Sequence, residues 1–184
     1  MQALPTLHTP RLVLQPLSLA DADAIQQRFP HWEVVRYLND VVPWPYPEDG
    51  ALSYLRDVAL PAMARGEEWH WTLRLLARPD EVIGSISLMD QVDNNRGFWL
   101  SPPWQGQGLM SEACKVIDAY WFQTLGRALM RVPKAAANER SRRISERGAM
   151  RLVSSEKGRF VSGEFACELW EITREQWLKH RDTL

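Results

Sequence analysis

Hydrophobic and polar residues follow two spacings along this chain, and the changes of spacing delimit the predicted elements. Continuous or alternating β-rich runs predict strands at 11–15, 69–77, 81–89, 98–100, 128–135, 150–155 and 164–173. Apolar residues three and four positions apart predict helical segments at 18–29, 34–38, 48–65, 109–125 and 138–147. The order of these elements, with a three-strand meander near the middle, predicts an α+β fold around one mostly antiparallel sheet.

Proline, glycine and short polar residues interrupt this pattern. The prolines at 43–47 exclude regular helix and central strand, so that segment is predicted to be a stiff loop. Pro61 predicts a kink or an early end in the helix that surrounds it. Residues 78–80 and 156–158 predict turns between antiparallel strands, and Gly97 predicts a β-bulge before its strand.

Length, composition and charge describe an ordinary globular chain. Its 184 residues and 21.3 kDa predict one domain, which we place at residues 9–180. The 22 Lys and Arg residues nearly balance 23 Asp and Glu, and a net charge of -1 argues against a nucleic acid or an anionic membrane as partner. Two cysteines, Cys114 and Cys167, do not make a disulfide framework. No secretory signal or membrane-spanning segment is recognisable, so we expect a cytoplasmic protein.

The segment Gln105-Gly106-Gln107-Gly108 lies between a predicted strand and a long predicted helix. Glycines let a backbone approach a ligand closely, and a helix N-terminus presents free N–H groups and the positive end of its dipole to an anion such as a pyrophosphate. A tight strand-to-helix turn also needs glycines, so the loop alone leaves both interpretations open. Ser111 leaves the dinucleotide motif G-x-G-x-x-G incomplete, and no Gly-Lys-Ser/Thr follows for a P-loop.

Four segments along the chain form a recognisable series. They are a strand and helix at 9–17 with Asp21-Ala22, a strand at Val82-Ile83-Gly84, the segment 98–113 around the glycine loop, and an Asn-x-x-Ser helix at Asn138–Ser141 followed by Gly148-Ala149-Met150. In this order they resemble the opening strand and helix, the third strand, the acetyl-CoA motif and the Asn-x-x-Ser helix of the GCN5-related N-acetyltransferases, in particular the branch with bacterial acetyltransferases of ribosomal-protein N-termini. In the acetyl-CoA motif, the family pattern Gln/Arg-x-x-Gly-x-Gly/Ala spans Gln105, Gly108 and Met110. The chain departs from the family where Met110 replaces a small residue and where Ala149-Met150 replace an aromatic.

The resemblance implies a single-domain acetyltransferase fold whose central strands splay apart at the cosubstrate site. Acetyl-CoA is the implied cosubstrate and no metal is required. The residues implied to bind it are Phe98, Trp99, Leu100, Gln105, Gly106, Gln107, Gly108, Leu109, Met110, Asn138 and Ser141. Pantetheine would pair along Phe98–Leu100, the pyrophosphate would lie on the loop, and a backbone N–H of Trp99 or Leu100 would stabilise the oxyanion.

The proton-transfer groups are less well matched to the family. Many members use a tyrosine in the second half of the chain to protonate the leaving thiolate, but no tyrosine follows Tyr120. Ser141 is therefore the candidate general acid, against the alternative of a helix-surface hydroxyl with no chemical role. The candidates for the base or for the amine anchor are Glu68, His70, Asp90 and Glu164, and solvent is a further alternative. The arginines at 140, 142, 143 and 147 would either contact the 3′-phosphate of CoA or pair with neighbouring glutamates.

The implied function is acetyl transfer to a primary amine, on a protein N-terminus or on a small molecule, by direct attack on the thioester. The alternative is a catalytically degenerate acyl-CoA-binding sensor or interaction module. A nicotinamide oxidoreductase fits poorly, because the glycine motif is incomplete. Acceptor sites in this family lie between the first helices and the last strand pair, segments that carry Trp32, Trp44, Tyr46 and Trp170. An exposed aromatic surface there also leaves a homodimer open.

Overall fold

Two antiparallel sheets form the centre of the protein, whose computed structural model describes residues 4–182. The first sheet has five strands in sequence order, β1 (Leu7–His8), β2 (Leu12–Pro16), β3 (Glu68–Leu75), β4 (Gly84–Met89) and β5 (Arg96–Leu100). The second has the order β6-β8-β7, built from β6 (Leu129–Ala135), β7 (Arg151–Phe160) and β8 (Gly163–Thr173).

Helices pack around the two sheets. They are α1 (Ala22–Arg28), α2 (Trp32–Val35), α3 (Gly50–Tyr54), α4 (Leu60–Arg65), α5 (Leu109–Ala119), α6 (Glu139–Arg147) and α7 (Arg174–Arg181). A π-helical turn at Leu55–Ala59 joins α3 to α4, and another at Tyr120–Thr124 extends α5. Within residues 4–182, no helix is long and apolar enough to span a membrane.

The alternation of side chains along the central strands divides the core in two. Trp71, Ile86 and Leu100 point to one face, where they pack with the buried side of α5 in the larger cluster. The opposite face is covered by α1, α3 and the π-helical turn, through a smaller cluster that includes Ile25 and Leu55.

The two sheets meet at one point and then separate. The N–H of Asn95 donates to the carbonyl of Arg131 at 2.8 Å, and the N–H of Arg131 donates to Oδ1 of Asn95 at 2.8 Å. Beyond this junction β5 and β6 belong to different sheets, and their facing edges are not paired with each other. The sequence-predicted single sheet is therefore divided by a splay between β5 and β6.

The α+β class is confirmed, and three local predictions are wrong for identifiable reasons. Gly97 lies in register with Ser87 inside β5, so it makes no bulge. Residues 156–158 lie inside β7; a Cβ at Gly158 would come 2.6 Å from the Cβ of Cys167, so this glycine permits close packing of strands instead of a turn. Pro61 lies in the first turn of α4 directly after a π-helical turn, and the helical path continues through it.

Candidate functional site

The open edge of β5 provides one wall of the splay. The N–H of Ser101 donates to the carbonyl of Ile83 beside β4, whereas the carbonyl of Leu100 points the other way and accepts a 2.7 Å hydrogen bond from Nε2 of Gln105. Backbone groups alternate sides along a strand, so the N–H groups of Phe98 and Leu100 face the open edge and that of Trp99 faces β4. Of the two oxyanion donors expected from the sequence, this geometry favours Leu100.

The glycine loop sits at the N-terminus of α5, as the sequence pattern predicts. Gly108 is the N-cap residue and has φ of 79°, and Gly106 has φ of 77°. Both angles lie in the left-handed region, which glycine adopts without strain. A Cβ at Gly106 would have no atom within 4 Å, so the space above it is open. The side chains of Leu109 and Met110 are buried in the core, so these residues present only backbone N–H groups to a ligand.

A clamp that sequence reasoning missed ties this loop to the start of the chain. Nε of Arg11 donates to Oε2 of Glu112 at 2.8 Å, and its Nη1 donates to the carbonyl of Gln107 at 3.0 Å. The hydroxyl of Thr9 and the backbone N–H of Arg11 also donate to Glu112. Burial opposes ionisation of Glu112, but these hydrogen bonds hold its pKa below the usual range.

The arginines of α6 divide between the loop and the neighbouring carboxylates. Arg140 donates to Oε1 of Gln105 at 2.7 Å and so faces the glycine loop. Arg142 pairs with Glu168 at 2.8 Å, and Arg143 pairs with Glu139 at 3.3 Å. The paired interpretation holds for these two, and Arg140 is the arginine that the structure brings to the loop.

Asn138 and Ser141 lie at the N-terminus of α6, facing the splay. Asn138 is the N-cap, and its Oδ1 accepts a 3.2 Å hydrogen bond from the N–H of Ser141. The hydroxyl of Ser141 accepts a 2.8 Å hydrogen bond from Nζ of Lys134, whose ammonium also lies 5.0 Å from the ring centroid of Phe98. Lys134 therefore joins the site, although the sequence reasoning did not select it. Its spacing after Met130 and Val132 was the available signal, since alternate residues of a strand share a face.

A buried ion pair lies beneath Lys134. Nη1 of Arg96 contacts both carboxylate oxygens of Asp118 at 2.5 and 2.6 Å, and the Arg96 side chain is 2% exposed. Burial lowers the pKa of the Arg96 guanidinium, but the facing Asp118 carboxylate raises it further, and the net shift is upward. Burial raises the pKa of the neighbouring Cys114 thiol to about 11, so this cysteine is held as an inert thiol.

The four candidate bases have different surroundings: two form ion pairs with cations, and the other two contact each other. Asp90 pairs with Arg127 at 2.7 Å, and Glu164 pairs with Lys157 on the β7–β8 hairpin. Glu68 and His70 lie together on β3, with Oε2 to Nε2 at 2.7 Å, and His70 is 4% exposed. His70 stands in one row with Ser87 of β4 and Gly97 of β5, so this pair shares a sheet face that reaches the splayed strand.

Aromatic side chains surround the same face. Phe29 contacts Tyr46 and Trp99 edge to face, with ring centroids 5.1 and 5.4 Å apart. Trp32 and Trp44 contact each other at 5.6 Å and remain 42% and 43% exposed. Trp32, Trp44 and Tyr46 are among the residues expected in the acceptor region, and their role there stays a prediction.

Trp170 was expected in that region and is instead buried in the main core, where its indole N–H donates to Glu168 at 3.1 Å. Its side chain follows the inward face of β8 opposite Val132, which explains its burial.

The tip of the β7–β8 hairpin closes against the loop after α2. The N–H of Val161 donates to the carbonyl of Leu38 at 2.9 Å, and that of Ser162 donates to the carbonyl of Arg36 at 3.1 Å. Tyr37 packs edge to face on Phe165 at 6.0 Å. The two segments expected to frame an acceptor are therefore in direct contact. Within residues 4–182, no group of three or more His, Cys, Asp or Glu side chains is arranged to hold a metal ion.

Comparison with known proteins agrees with this geometry. The family model described as "Acetyltransferase (GNAT) domain" matches residues 11–151. The chain is 32% identical over 85 residues to the Bacillus subtilis (strain 168) protein named "Putative ribosomal N-acetyltransferase YdaF", covering 44% of this chain and 46% of that protein. It is 30% identical over 127 residues to "Uncharacterized N-acetyltransferase p20" of Bacillus licheniformis, covering 65% of this chain and 67% of that one. The match to YdaF thus spans less than half of that relative's length.

Two solved structures share the fold at low sequence identity. The ribosomal-protein-S5-alanine acetyltransferase from Vibrio fischeri superposes with a TM-score of 0.79 at 13% identity, covering 94% of this chain and 98% of that one. RimL, a ribosomal L7/L12 α-N-protein acetyltransferase solved with coenzyme A, superposes with a TM-score of 0.76 at 16% identity, and again 94% of this chain and 98% of that one are covered. At such identities the likeness shows the fold.

Proposed function

Because the chain belongs to the GNAT acetyltransferases, we propose that residues 9–180 form one catalytic domain that transfers acetyl from acetyl-CoA to the N-terminal amine of a peptide or protein. The observation that carries the proposal is the open edge of β5 beside a glycine loop at the N-terminus of α5. That combination offers strand pairing to an extended amide chain and N–H donors to a pyrophosphate, the two chemical features of CoA nearest its thioester.

The residues present fit this cosubstrate. Pantetheine amides would pair with the open edge at Phe98 and Leu100, and the pyrophosphate would lie on the backbone N–H groups from Gly106 to Met110. The backbone N–H of Gln105 already donates to the carbonyl of Pro102 at 3.2 Å, so this residue borders the site with its side chain. Gly106 leaves room for it, and Arg140 and Gln105 border the same surface. Asn138 holds the first turn of α6 in place beside this channel.

The reaction needs an oxyanion donor and a proton for sulfur. The neutral amine attacks the thioester carbon, and the Leu100 N–H stabilises the negative charge on the carbonyl oxygen. The C–S bond then breaks and the sulfur takes a proton. Ser141 is the hydroxyl that faces the splay at this level, and we assign it as the donor.

A peptide acceptor is supported by the framed entrance and by the names of the relatives. The docked hairpin and the loop after α2 make a rim that would border an extended chain end, and one relative by sequence and two by fold carry ribosomal acetyltransferase names. A net charge of -1 provides no general attraction for a polyanionic acceptor and does not by itself choose among amines, so the rim and the relatives decide the class.

Release of free CoA thiol with a panel of amines tests this proposal. We expect thiol release with peptides that have a free N-terminus, and none with the same peptides acetylated at the N-terminus. Polyamines and free amino acids serve as the comparison for small acceptors. If no amine of the panel gives thiol release while calorimetry still detects CoA binding, the protein is instead an acyl-CoA sensor without turnover. Thiol release with small amines alone would refute the peptide class.

Trp32 and Trp44 are expected to contribute to acceptor affinity. Each presents an exposed ring at the entrance, and a stacking or cation–π contact of about 1 kcal/mol corresponds to a several-fold change in affinity. Trp32→Ala and Trp44→Ala should therefore raise the KM of the peptide several-fold and leave the KM of acetyl-CoA unchanged. Val92→Ala, which trims a side chain 90% exposed in the β4–β5 turn, is the control. Unchanged peptide KM in both tryptophan variants would exclude these rings from the acceptor site.

A further inference from the structure

Lys134 is a buried cation at a place where two strands diverge. It lies three residues along β6 from Arg131, as Phe98 lies three residues along β5 from Asn95, and Arg131 and Asn95 form the junction of the sheets. Three residues of strand span roughly 10 Å, so the side chains of Lys134 and Phe98 meet at the same depth of the splay. The 5.0 Å contact between Nζ and the Phe98 ring shows that the ammonium bridges the gap.

The hydrogen bonding of Lys134 has a direction. Nζ donates to Oγ of Ser141 at 2.8 Å, so the Ser141 oxygen is an acceptor in this contact and its own proton is available to another group. Ser141 is itself fixed, because its backbone N–H is bound by the Asn138 cap. A proton that leaves the Ser141 hydroxyl can thus be replaced from Lys134 without rearrangement of α6.

We propose that Lys134 is the proton source for the departing CoA thiolate and that it acts through the hydroxyl of Ser141. The inference rests on the proposed function and assigns the group that supplies its second proton transfer. The amine nitrogen forms the C–N bond, and the C–S bond breaks with its electron pair on sulfur. Sulfur takes the Ser141 proton while the Ser141 oxygen takes one from Lys134, which becomes neutral. The proton lost by the acceptor nitrogen passes to solvent, from which Lys134 is recharged.

The charged groups around Lys134 leave it without a carboxylate of its own. Titratable and charged groups face it from β5, α5, α6 and β8, namely Arg96, Cys114, Asp118, Arg142 and Glu168. Arg96 binds Asp118, and Arg142 binds Glu168, which stands opposite Lys134 in register. Both carboxylates are therefore neutralised by an arginine, and the ammonium is held by a neutral hydroxyl and an aromatic ring.

This environment makes Lys134 acidic enough to donate a proton toward the CoA thiolate. Burial, followed by repulsion from Arg96, lowers the pKa of Lys134 to about 7. A lysine in water has a pKa of about 10.4 and a thiol one of about 8.5, so an ordinary lysine would hold its proton more tightly than the thiolate. Lys134 holds it less tightly, and transfer to sulfur is downhill. Its charged form is present at low pH and is lost as pH rises through about 7.

The test compares kcat for wild type, Lys134→Met and Lys134→Arg from about pH 6 to about pH 10, a range that covers the ordinary pKa values of the thiol and the amine. Methionine removes the charge without leaving a buried polar group, so we expect a folded protein with unchanged CoA affinity by calorimetry. We expect its kcat to fall about 100-fold, the usual contribution of a general acid. We also expect wild-type kcat to decrease as pH rises through about 7, and this decrease to disappear in the variant. Arginine keeps the charge and does not release its proton, so its kcat should also be low.

Lys115→Met, which removes an exposed lysine from α5, is the matched control and should behave as wild type. Wild-type kcat and pH dependence in Lys134→Met would overturn the proposal. Wild-type rates in Lys134→Arg would show that charge alone is needed. If Lys134→Met instead loses a decrease in kcat at low pH, Lys134 acts as a base. Each result refutes proton donation. If wild type acetylates no amine, the proposed function itself is refuted. That outcome is distinguishable from failure of the Lys134 proposal, because it does not depend on any Lys134 variant.

Discussion

Asp118→Leu is expected to destabilise the protein by about 3–5 kcal/mol, because it leaves a guanidinium buried without its counter-charge. Arg96 is 2% exposed, both carboxylate oxygens of Asp118 contact its Nη1, and its remaining side-chain contact is a weak one to the sulfur of Met150 at 3.8 Å. An uncompensated charge in that position has no access to water. Urea unfolding followed by tryptophan fluorescence should show the lower midpoint.

Two control variants separate the buried charge from general effects of substitution. Arg96→Met combined with Asp118→Leu replaces the pair with apolar side chains, and should recover most of the lost stability. Glu175→Gln removes the carboxylate of the exposed Lys179 pair on α7, and should change the free energy of unfolding by less than about 0.5 kcal/mol. If Asp118→Leu costs no more than Glu175→Gln, the Arg96 charge is not confined as the structure indicates.

Local patterns were sufficient to predict most of the secondary structure and the glycine loop. Alternating apolar residues along β4 follow directly from one buried and one half-buried face, and Gly106 and Gly108 occupy left-handed positions that a side chain would strain. The errors occurred where a residue's role is set by a distant partner. Gly158 looks like a turn residue until the Cβ of Cys167 is placed beside it.

The residues of the site likewise divide into those that the sequence could identify and those whose role depends on a distant partner. Asn138 and Ser141 were selected by the resemblance to the family's Asn-x-x-Ser helix, and the structure shows that the cap and the residue three positions later share one helical turn. The pair Arg96 and Asp118 lies 22 positions apart, and Arg11 and Glu112 lie 101 apart, so neither pairing has a local signature. Lys134 was predictable as an inward-facing strand residue. Its relation to Ser141 required the junction of the two sheets.

Gly106→Asp is expected to weaken acetyl-CoA binding on the order of 100-fold. The substitution places a carboxylate where the proposed pyrophosphate would lie, and like charges about 5 Å apart at an effective dielectric constant of about 20 repel by roughly 3 kcal/mol. A Cβ at this position meets no atom within 4 Å, so a clash of that atom with its neighbours contributes nothing to the loss. Isothermal titration calorimetry with CoA measures the effect, and high salt should reduce it in part.

Gly126→Asp is the matched control, because Gly126 has φ of 67° and likewise no atom within 4 Å of an added Cβ. Both variants place the same residue in the same left-handed conformation, which aspartate tolerates better than most side chains. Gly126 follows the helical segment that begins at Gly108, so it lies roughly 27 Å along the axis from the loop. Both variants should lose similar stability while CoA affinity falls in Gly106→Asp alone. Equal losses of CoA affinity would mean that backbone strain, and not charge at the head of α5, governs binding.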